Sequence, residues 1–498
     1  MSLAERLAEI AESPPGPQVA AFFDFDGTII EGYSATALVQ ERWRRREIGP
    51  TETLQLLFTG LKAAAGYSDF NAFMTVGVSH LAGRKQSELE ALGAHLTKSA
   101  IGGSLHGEAL EIIEAHHDRG HRVVVATSAL PYQVESLARE LGVEIVLCTR
   151  PRVVDGVLDG EIDGEILWGP GKASAVKALA VAEEIDLQES FAYANGAEDA
   201  QFLATVGRPC AVNPHAELAQ VARASGWPTV EMAARGRPGV TDAARTVAAY
   251  TGMATAFGVG LGLGLLNRSR RDAVNLSASI GSDVALSLAG VHLDIAGERH
   301  LWSERPAVFI FNHQSWLDGL IAMKLLRGDI TGVAKKEVAN QPGFGQFARL
   351  ANMALVDRQD GKSALEALKP AVARLQEGYS IVISPEGTRS TTPRLGPFKK
   401  GAFHLAMQGK VPIVPIVIRN AGELLWRGSK VIRPGTIDVI VHEPISVADW
   451  SRRELNHRVA EVRGLFLNTL ANWEANRRLV DRRDLLLPAG LEPAASVS

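Results

Sequence analysis

The sequence has few cysteines and no apolar segment at its amino terminus. Only two cysteines occur in 498 residues, Cys148 in EIVLCT and Cys210 in PCAVNP, and both of these runs are apolar and strand-like. So few cysteines argue against a disulfide framework or a thiolate metal site and fit a reducing, cytosolic setting. The first residues, MSLAERLAEIAESPPGP, are charged and lack the apolar core of a signal peptide. This predicts a chain that starts in the cytosol.

The sequence also lacks an excess of positive charge. Its 52 lysines and arginines are outnumbered by 56 acidic residues, which gives a net charge of -4 at pH 7. This balance argues against a nucleic-acid-binding protein. The hydrophobic fraction of 46% is ordinary for a globular protein. Because domains usually hold roughly 100 to 200 residues, we expect two or three domains.

Residues 1–232 have the pattern of a first α/β domain. Its strand-like runs are VAAFFDFD, RVVVATS, EIVLCT, FAYANG and PCAVNP, and amphipathic stretches separate them. This alternation predicts a parallel sheet covered by helices. Residues 34–104 have apolar residues at helical spacing, which predicts a helical cap between the first two strands. The Asp-Gly turns of VVDGVLDGEIDG predict a small hairpin.

Only one long run of the chain lacks charge. It extends from Thr246 to Leu266, about the length needed to cross a bilayer core. The apolar stretch after it contains Asp283, a costly residue at mid-membrane. Arginines flank the uncharged run on both sides, so a single crossing or a crossing hairpin would conflict with the positive-inside tendency. We therefore predict that residues 233–292 form a linker and a helical hairpin lying in the cytosolic interface of the membrane. The alternative is a helix pair buried in a soluble core.

Residues 293–480 repeat the α/β alternation. The strand-like runs are AVFIFN, ITGVAK, MALVDR, SIVISPE, IVPIVIRN and TIDVIVHE. A long basic amphipathic helix, RRELNHRVAEVRGLFLNTLANWEANRR, is predicted to close this second domain. The tail, residues 481–498, has the composition of a disordered segment.

A first group of polar residues lies at the ends of predicted strands. In FFDFDGT, Asp24 and Asp26 lie two apart at the end of an extended run, so both side chains point to the same side. Paired carboxylates repel and favour a divalent cation; one of them can attack phosphorus while the other moves the proton. Thr127 could hold a phosphoryl oxygen and Lys172 could neutralise its charge, while Asp199 follows the fourth strand. Taken alone, such a pair of aspartates is also common at the end of a strand, where one of them only caps the chain.

These residues resemble the haloacid dehalogenase superfamily, in the phosphatase branch with a helical first cap, over residues 18–232. The DxDGT motif matches from Asp24 to Thr28, and the hydroxyl and lysine motifs match at Thr127 and Lys172. The resemblance implies a Rossmann-like fold with Asp24 as nucleophile and Asp26 as general acid and base. It also implies Mg²⁺ held by Asp24, the main-chain carbonyl of Asp26 and a fourth motif.

The fourth motif departs from the family pattern. The family usually has Gly-Asp-Ser-x-x-Asp, whereas here Asn195 replaces the first acid and only Asp199 is kept. An Asn carbonyl can ligate a hard cation, but the lost charge predicts weaker magnesium binding. Phosphoserine phosphatases carry a glutamate where this chain has Tyr33, which argues against phosphoserine as substrate. Two alternatives follow: a working phosphatase of unknown substrate or a non-catalytic regulatory domain.

A run of histidines in the first domain invites a metal-site interpretation. The sequence AHHDRGHR contains His116, His117 and His121. We predict that these three side chains belong to a solvated helix end before a strand.

A second group of polar residues lies in the second domain. His313 and Asp318 in FNHQSWLD can meet only if His313 sits in the turn before the helix that carries Asp318. A histidine oriented by a carboxylate is a general base for a hydroxyl, although such a pair can also be structural. The cations Arg358 and Lys335 suit a substrate phosphate. The SPEGTRS segment adds Glu386, Gly387 and Arg389.

Together these segments resemble the 1-acylglycerol-3-phosphate acyltransferase family over residues 293–447. Its four blocks occur in order: NHxxxxD at Asn312 to Asp318, a block ending at Arg358, EGTRS at Glu386 to Ser390, and VPIVPIV at Val411 to Val417. The resemblance implies that His313, oriented by Asp318, deprotonates the free hydroxyl of lysophosphatidate. That hydroxyl then attacks an acyl thioester of coenzyme A or acyl carrier protein, which yields phosphatidate. Glu386 and Arg389 then belong to the acceptor site, and Arg358 binds its phosphate.

Overall fold

The computed structural model describes residues 1–49, 70–233, 238–335, 353–356, 369–390, 392–426 and 429–486. The chain divides into two compact units, Met1–Arg237 and Pro238–Ser498. Each unit is an α/β structure with its own sheet, so the predicted fold class of two α/β domains is confirmed.

The first unit contains a six-stranded parallel sheet. Its strands are β1 Ala20–Phe23, β2 Arg122–Ala126, β3 Ile145–Leu147, β6 Phe191–Ala194, β7 Arg208–Val212 and β8 Thr229–Val230. Their order across the sheet is β3-β2-β1-β6-β7-β8. The predicted hairpin is also present, as β4 Arg150–Val154 and β5 Val157–Asp163. Asp155 and Gly156 at its turn both have positive φ, as a two-residue hairpin turn requires.

Helices cover both faces of this sheet. They are α1 Leu3–Glu12, α2 Ser34–Arg44, α3 Phe70–Ser79, α4 Gln86–Ser99, α5 Gly107–Asp118, α6 Pro131–Glu140, α7 Pro170–Ala182, α8 Ala200–Leu203 and α9 Ala216–Ser225. Helices α2 to α4 lie in the insertion between β1 and β2. Apolar residues alternate between two cores because successive strand residues face opposite sides: Phe23 enters one core and Phe22 the other.

The histidine segment is not a solvated helix end, and that prediction was wrong for two of its three members. His116 and His121 are buried. Their Nδ1 atoms lie 2.8 Å apart, and His116 Nε2 lies 2.8 Å from the Tyr193 hydroxyl. The reason is that α1, which the sequence analysis did not predict as a helix, packs over this segment and brings Arg6 Nε to 3.1 Å from the same hydroxyl.

The second unit begins with a helical hairpin. Its helices are α10 Val240–Leu266 and α11 Arg270–Ala289. Small residues let the two backbones approach closely: a Cβ added to Gly260 would lie 2.1 Å from Ser277 Oγ. The charge of Asp283 is offset by ion pairs with Lys324 and Arg327, at 2.6 Å each. Among the described residues, no helix combines the length and apolarity that crossing a membrane requires.

The second unit contains a seven-stranded sheet. Its strands are β9 Val291–Ala296, β10 Val308–Phe311, β11 Ile330–Lys335, β12 Ala354–Val356, β13 Ser380–Ile383, β14 Ile413–Ile418 and β15 Gly435–Val441. Their order is β12-β11-β13-β10-β14-β15-β9. The first five strands in this order are parallel, and β15 runs antiparallel to β14. The predicted hairpin ends at residue 292, yet β9 begins at Val291 and pairs with β15 along its whole length.

The remaining helices in the described part of this unit are α12 His300–Ser303, α13 Leu317–Leu326, α14 Lys369–Gln376, α15 Gly401–Gly409, α16 Ala421–Leu424, α17 Leu455–Ala471 and α18 Trp473–Leu486. The single long terminal helix of the prediction is thus two helices, broken at Asn472. The break lets Trp473 become buried and lets Arg477 form a two-pronged ion pair with Asp294 of β9. Helix α18 also extends six residues into the segment predicted to be disordered.

Candidate active sites

The first candidate site lies at the carboxyl edge of the first sheet. Asp24, Thr127 and Asn195 directly follow β1, β2 and β6, which are adjacent strands. Parallel strands end at the same edge, so the fold brings these residues together as expected. Thr127 is buried, and its Oγ1 accepts a hydrogen bond from the Ala129 N–H at 3.2 Å.

Lys172 joins two carboxylates at this edge. Its ammonium lies 2.8 Å from Asp24 Oδ1 and 2.6 Å from Asp199 Oδ1, and all three side chains are buried. Burial opposes the charge on Lys172, but the two carboxylates outweigh it and raise its pKa above the ordinary value. The lysine is therefore held as a cation beside the predicted nucleophile.

Asp26 is held by residues that the sequence analysis did not identify. Its Oδ1 accepts from the Ser34 N–H at 2.7 Å, and its Oδ2 accepts from the Ser34 hydroxyl at 3.0 Å. Gln133 Nε2 donates to the same hydroxyl at 3.3 Å. Burial raises the pKa of Asp26 to about 7, the Ser34 hydrogen bonds oppose this shift and the charge of Asp24 adds to it. A carboxyl group with this pKa can both donate and accept a proton near neutral pH.

Asn195 lies against the loop that follows Asp26. Gly27 has φ +77°, and a Cβ there would lie 2.1 Å from Asn195 Nδ2, so only glycine fits. The Thr28 hydroxyl lies 3.4 Å from Asn195 Oδ1, and His215 Nε2 lies 3.5 Å from Asn195 Nδ2. His215 carried no sequence signal, because it follows a strand end as an isolated histidine.

The oxygen donors at this edge suit a hard divalent cation. Asp24 and Asp199 contact the same ammonium, so their carboxyl groups lie close together. Carboxylate and amide oxygens are ligands that Mg²⁺ prefers. The described residues hold no cluster of three or more His, Cys, Asp or Glu side chains arranged for a metal. A cation here would thus depend on Asp24, Asp199, the Asn195 amide and main-chain oxygens.

The second candidate site lies at the carboxyl edge of the second sheet. His313 follows β10 and precedes α13, which carries Asp318 in its first turn. The distance between His313 Nδ1 and Asp318 Oδ2 is 2.8 Å. The same Oδ2 accepts from the N–H groups of Gln314 and Ser315, which fixes the fully buried Asp318. Since 27% of the His313 side chain is exposed, its ring can reach a substrate.

The EGTRS segment lies beside His313 because β13 is the neighbour of β10. Glu386 Oε1 accepts from the His313 N–H at 2.7 Å, and Oε2 accepts from the Gly396 N–H at 2.9 Å. The Ser390 N–H donates to the His313 carbonyl at 2.8 Å. Burial raises the pKa of Glu386, although the two N–H donors oppose this shift. The fold thus brings His313, Asp318 and Glu386 together.

The predicted phosphate-binding residues are only partly described. Gly387 has φ +74° in the turn after Glu386, and Arg389 lies over the ring of Trp316 at 5.8 Å. Lys335 is the last residue of β11, but its side chain lies outside the described part. Arg358 and most of the second block also lie outside the described residues.

Comparisons with known proteins match a different family to each unit. Residues 21–204 match the family model of the haloacid dehalogenase-like hydrolases, and residues 292–419 match the acyltransferase model. The 1-acyl-sn-glycerol-3-phosphate acyltransferase of Cocos nucifera is 36% identical over 210 residues, which cover 42% of this chain and 67% of that protein. The phosphoserine phosphatase SerB1 of Mycobacterium tuberculosis is 34% identical over 213 residues, which cover 42% of this chain and 69% of that protein.

A solved structure is also similar in part. The 1-acyl-sn-glycerophosphate acyltransferase PlsC from Thermotoga maritima covers 50% of this chain and 98% of its own, with 24% identity and a TM-score of 0.39.

The chain therefore belongs to the acyltransferase family through its second unit and to the haloacid dehalogenase-like hydrolase family through its first. It is an enzyme that joins an acyltransferase to a hydrolase of the phosphatase type.

Proposed function

We propose that the second unit acylates lysophosphatidate with an acyl thioester and so forms phosphatidate. The observation that supports this most directly is the contact of the partly exposed His313 ring with the buried Asp318 at 2.8 Å. The name of the Cocos nucifera relative supplies the acceptor class. Acyl-CoA or acyl carrier protein would supply the thioester.

In this reaction His313 acts as general base. Its Nε2 takes the proton of the acceptor hydroxyl while Asp318 stabilises the imidazolium through Nδ1. The hydroxyl oxygen bonds to the thioester carbonyl carbon, the carbon–sulfur bond breaks, and His313 returns the proton to the thiolate. Arg389, Arg358 and Lys335 are proposed to bind the acceptor phosphate, and Gly387 gives the turn its shape.

We also propose that the first unit hydrolyses a phosphate monoester. Asp24 attacks phosphorus, and Asp26 protonates the leaving oxygen and then activates the water that cleaves the aspartyl phosphate. Lys172 offsets the charge of the phosphoryl group, and the Thr127 hydroxyl holds one of its oxygens. Mg²⁺, held by Asp24, Asp199, Asn195 and the Asp26 carbonyl, would supply further charge neutralisation.

We further propose that the hairpin places the second unit at a membrane surface. The exposed apolar residues of α10 include Val247, Tyr250, Val259, Leu263 and Leu266. Between Thr246 and Leu266 the helix carries no charge. Lysophosphatidate and phosphatidate reside in membranes, so an interfacial helix would bring the site to its substrate.

The acyl transfer is tested with His313→Ala. We expect the rate of phosphatidate formation from acyl-CoA and lysophosphatidate to fall at least about a thousandfold, because the variant lacks the proposed general base. The control is Asp24→Asn, which removes the proposed nucleophile of the other unit and should leave acyl transfer unchanged. Full transfer by His313→Ala would end this mechanism.

The hydrolase is tested with a generic aryl phosphate and added magnesium. Asp24→Asn should abolish hydrolysis, and His313→Ala should leave it unchanged. Asn195→Asp restores the missing charge, so it should raise both magnesium affinity and the hydrolysis rate. Equal hydrolysis by the unmodified chain and Asp24→Asn would favour a regulatory first unit. An unaltered magnesium affinity in Asn195→Asp would place Asn195 outside the metal shell.

A further inference from the structure

The Glu386 carboxylate joins two loops of the second unit. Its oxygens lie 2.7 Å from the His313 nitrogen and 2.9 Å from the Gly396 nitrogen. The residue is 6% exposed. Each carboxylate oxygen is therefore engaged by a main-chain donor, and little of the group remains open to a substrate.

The loop that contains Gly396 is held in place by a residue of helix α17. Arg463 of α17 donates from Nε to the Gly396 carbonyl at 3.0 Å and from Nη2 to the Leu395 carbonyl at 2.9 Å. A Cβ on Gly396 would lie 2.9 Å from Glu386 Oε2, so the glycine leaves just enough room for the carboxylate. Arg463 thus holds the loop at residues 395–396 in place. Glu386 links this loop to the main chain of His313.

His313 is held at three points. Glu386 accepts from its N–H, Ser390 donates to its carbonyl, and Asp318 accepts from its ring. Two of these contacts come from the EGTRS segment. The location of the catalytic Nε2 therefore depends on Glu386 through the main chain of His313.

The negative charge of Glu386 also argues against a role in binding the acceptor. A carboxylate repels an anionic phosphate, whereas two N–H donors are its natural partners. We propose that Glu386 is a positioning residue for His313 in the acyl transfer and that it does not bind the acceptor. This role replaces the acceptor-site role that the family resemblance implies, and it rests on the acyl transfer proposed above.

Glu386→Gln tests the proposal because both partners of the side chain are donors. A glutamine can accept only one of the two hydrogen bonds and must turn its amide N–H₂ toward the other donor. We expect kcat to fall about 10- to 100-fold, while the KM for lysophosphatidate stays within about twofold. An acceptor ligand would instead give a raised KM for lysophosphatidate.

A second assay omits the acceptor. When water replaces lysophosphatidate, its oxygen bonds to the carbonyl carbon of palmitoyl-CoA, the carbon–sulfur bond breaks, and His313 moves the proton to the thiolate. We expect Glu386→Gln to slow this release of CoA by the same factor as acyl transfer. Because no acceptor is present, failure of lysophosphatidate as a substrate would leave this readout intact.

Gly396→Ala displaces the same carboxylate from its other side, and its backbone has no positive φ to strain the alanine. It should reproduce the lowered kcat, the unchanged KM and the slowed CoA release even if Glu386→Gln folds poorly. The matched control is Glu454→Gln, which changes an exposed glutamate and should alter none of these values. A raised acceptor KM with unchanged CoA release, or an unchanged kcat in both variants, would overturn the proposal.

Discussion

In the first unit, the partners of several buried side chains decide which group donates and which accepts each hydrogen bond. Gln133 Nε2 can only donate, so the Ser34 hydroxyl turns its own proton toward Asp26 when that carboxyl group is ionised. The same reasoning applies to the buried histidines. The Pro14 carbonyl, 2.9 Å from His121 Nε2, can only accept. His121 Nδ1 must then accept from His116 Nδ1–H, which leaves His116 Nε2 to accept from the Tyr193 hydroxyl.

This histidine chain predicts a pH dependence of stability. Burial lowers the pKa of His116 well below its usual value, and His121, Arg6 and His117 lower it further. Burial also lowers the pKa of His121, with Arg119 and Arg208 contributing and the Pro14 hydrogen bond opposing. These two histidines therefore bind more protons in the unfolded chain than in the folded chain below about pH 6.5. Their contribution to stability is fully present above that pH and should fall by up to about 1.4 kcal/mol per pH unit for each histidine.

The measurement is the free energy of unfolding of the first unit between about pH 7.5 and 5, from hydrogen exchange of peptides 1–49 along a denaturant series. His116→Gln keeps one donor and one acceptor but does not titrate, so its slope should be shallower than that of the unmodified chain. His457→Gln, at an exposed position, serves as control. Identical slopes in all three proteins would show that the histidine chain does not govern this pH dependence.

At the scale of elements, the hairpin is the part whose sequence was most ambiguous. Helix α11 buries small residues, among them Ser277, Ala278 and Ala285. Helix α10 buries fewer of its residues, and its outward face is apolar. The sequence alone indicates that Asp283 would be energetically costly within a membrane. Its presence is explained by its ion pairs with Lys324 of α13 and with Arg327, which follows that helix. An ion pair between side chains of different helices cannot be predicted from the local apolarity of the sequence alone.

A charged residue on this apolar face should weaken membrane binding. For Val259→Glu we expect the affinity for vesicles of phosphatidylcholine and phosphatidate to fall about tenfold, because burial of a valine side chain contributes about 1.5 to 3 kcal/mol. Flotation of the full chain with vesicles measures this change. The matched control is Val181→Glu at an exposed position of α7 in the first unit. Equal flotation of both variants would contradict the interfacial placement of α10.

At the scale of the whole molecule, each unit has a complete sheet with an apolar core on both faces. Each candidate site lies at the carboxyl edge of its own sheet, where loops from adjacent parallel strands converge. The alternation of apolar runs was enough to predict these two sheets. It was insufficient for β9, because VHLDIA continues an apolar helical stretch and becomes a strand only by pairing with β15.

The sequence by itself indicated the two families, the α/β class and the residues that we propose to be reactive, Asp24, Asp26, His313 and Asp318, because motif spacing and strand ends are local properties. The tertiary structure decided what supports them. Ser34, Gln133 and Gly396 reach the sites through long-range packing, and no spacing rule connects them. Tertiary structure also decided that Glu386 contacts two main-chain donors, because that geometry exists only once β10 and β13 lie side by side.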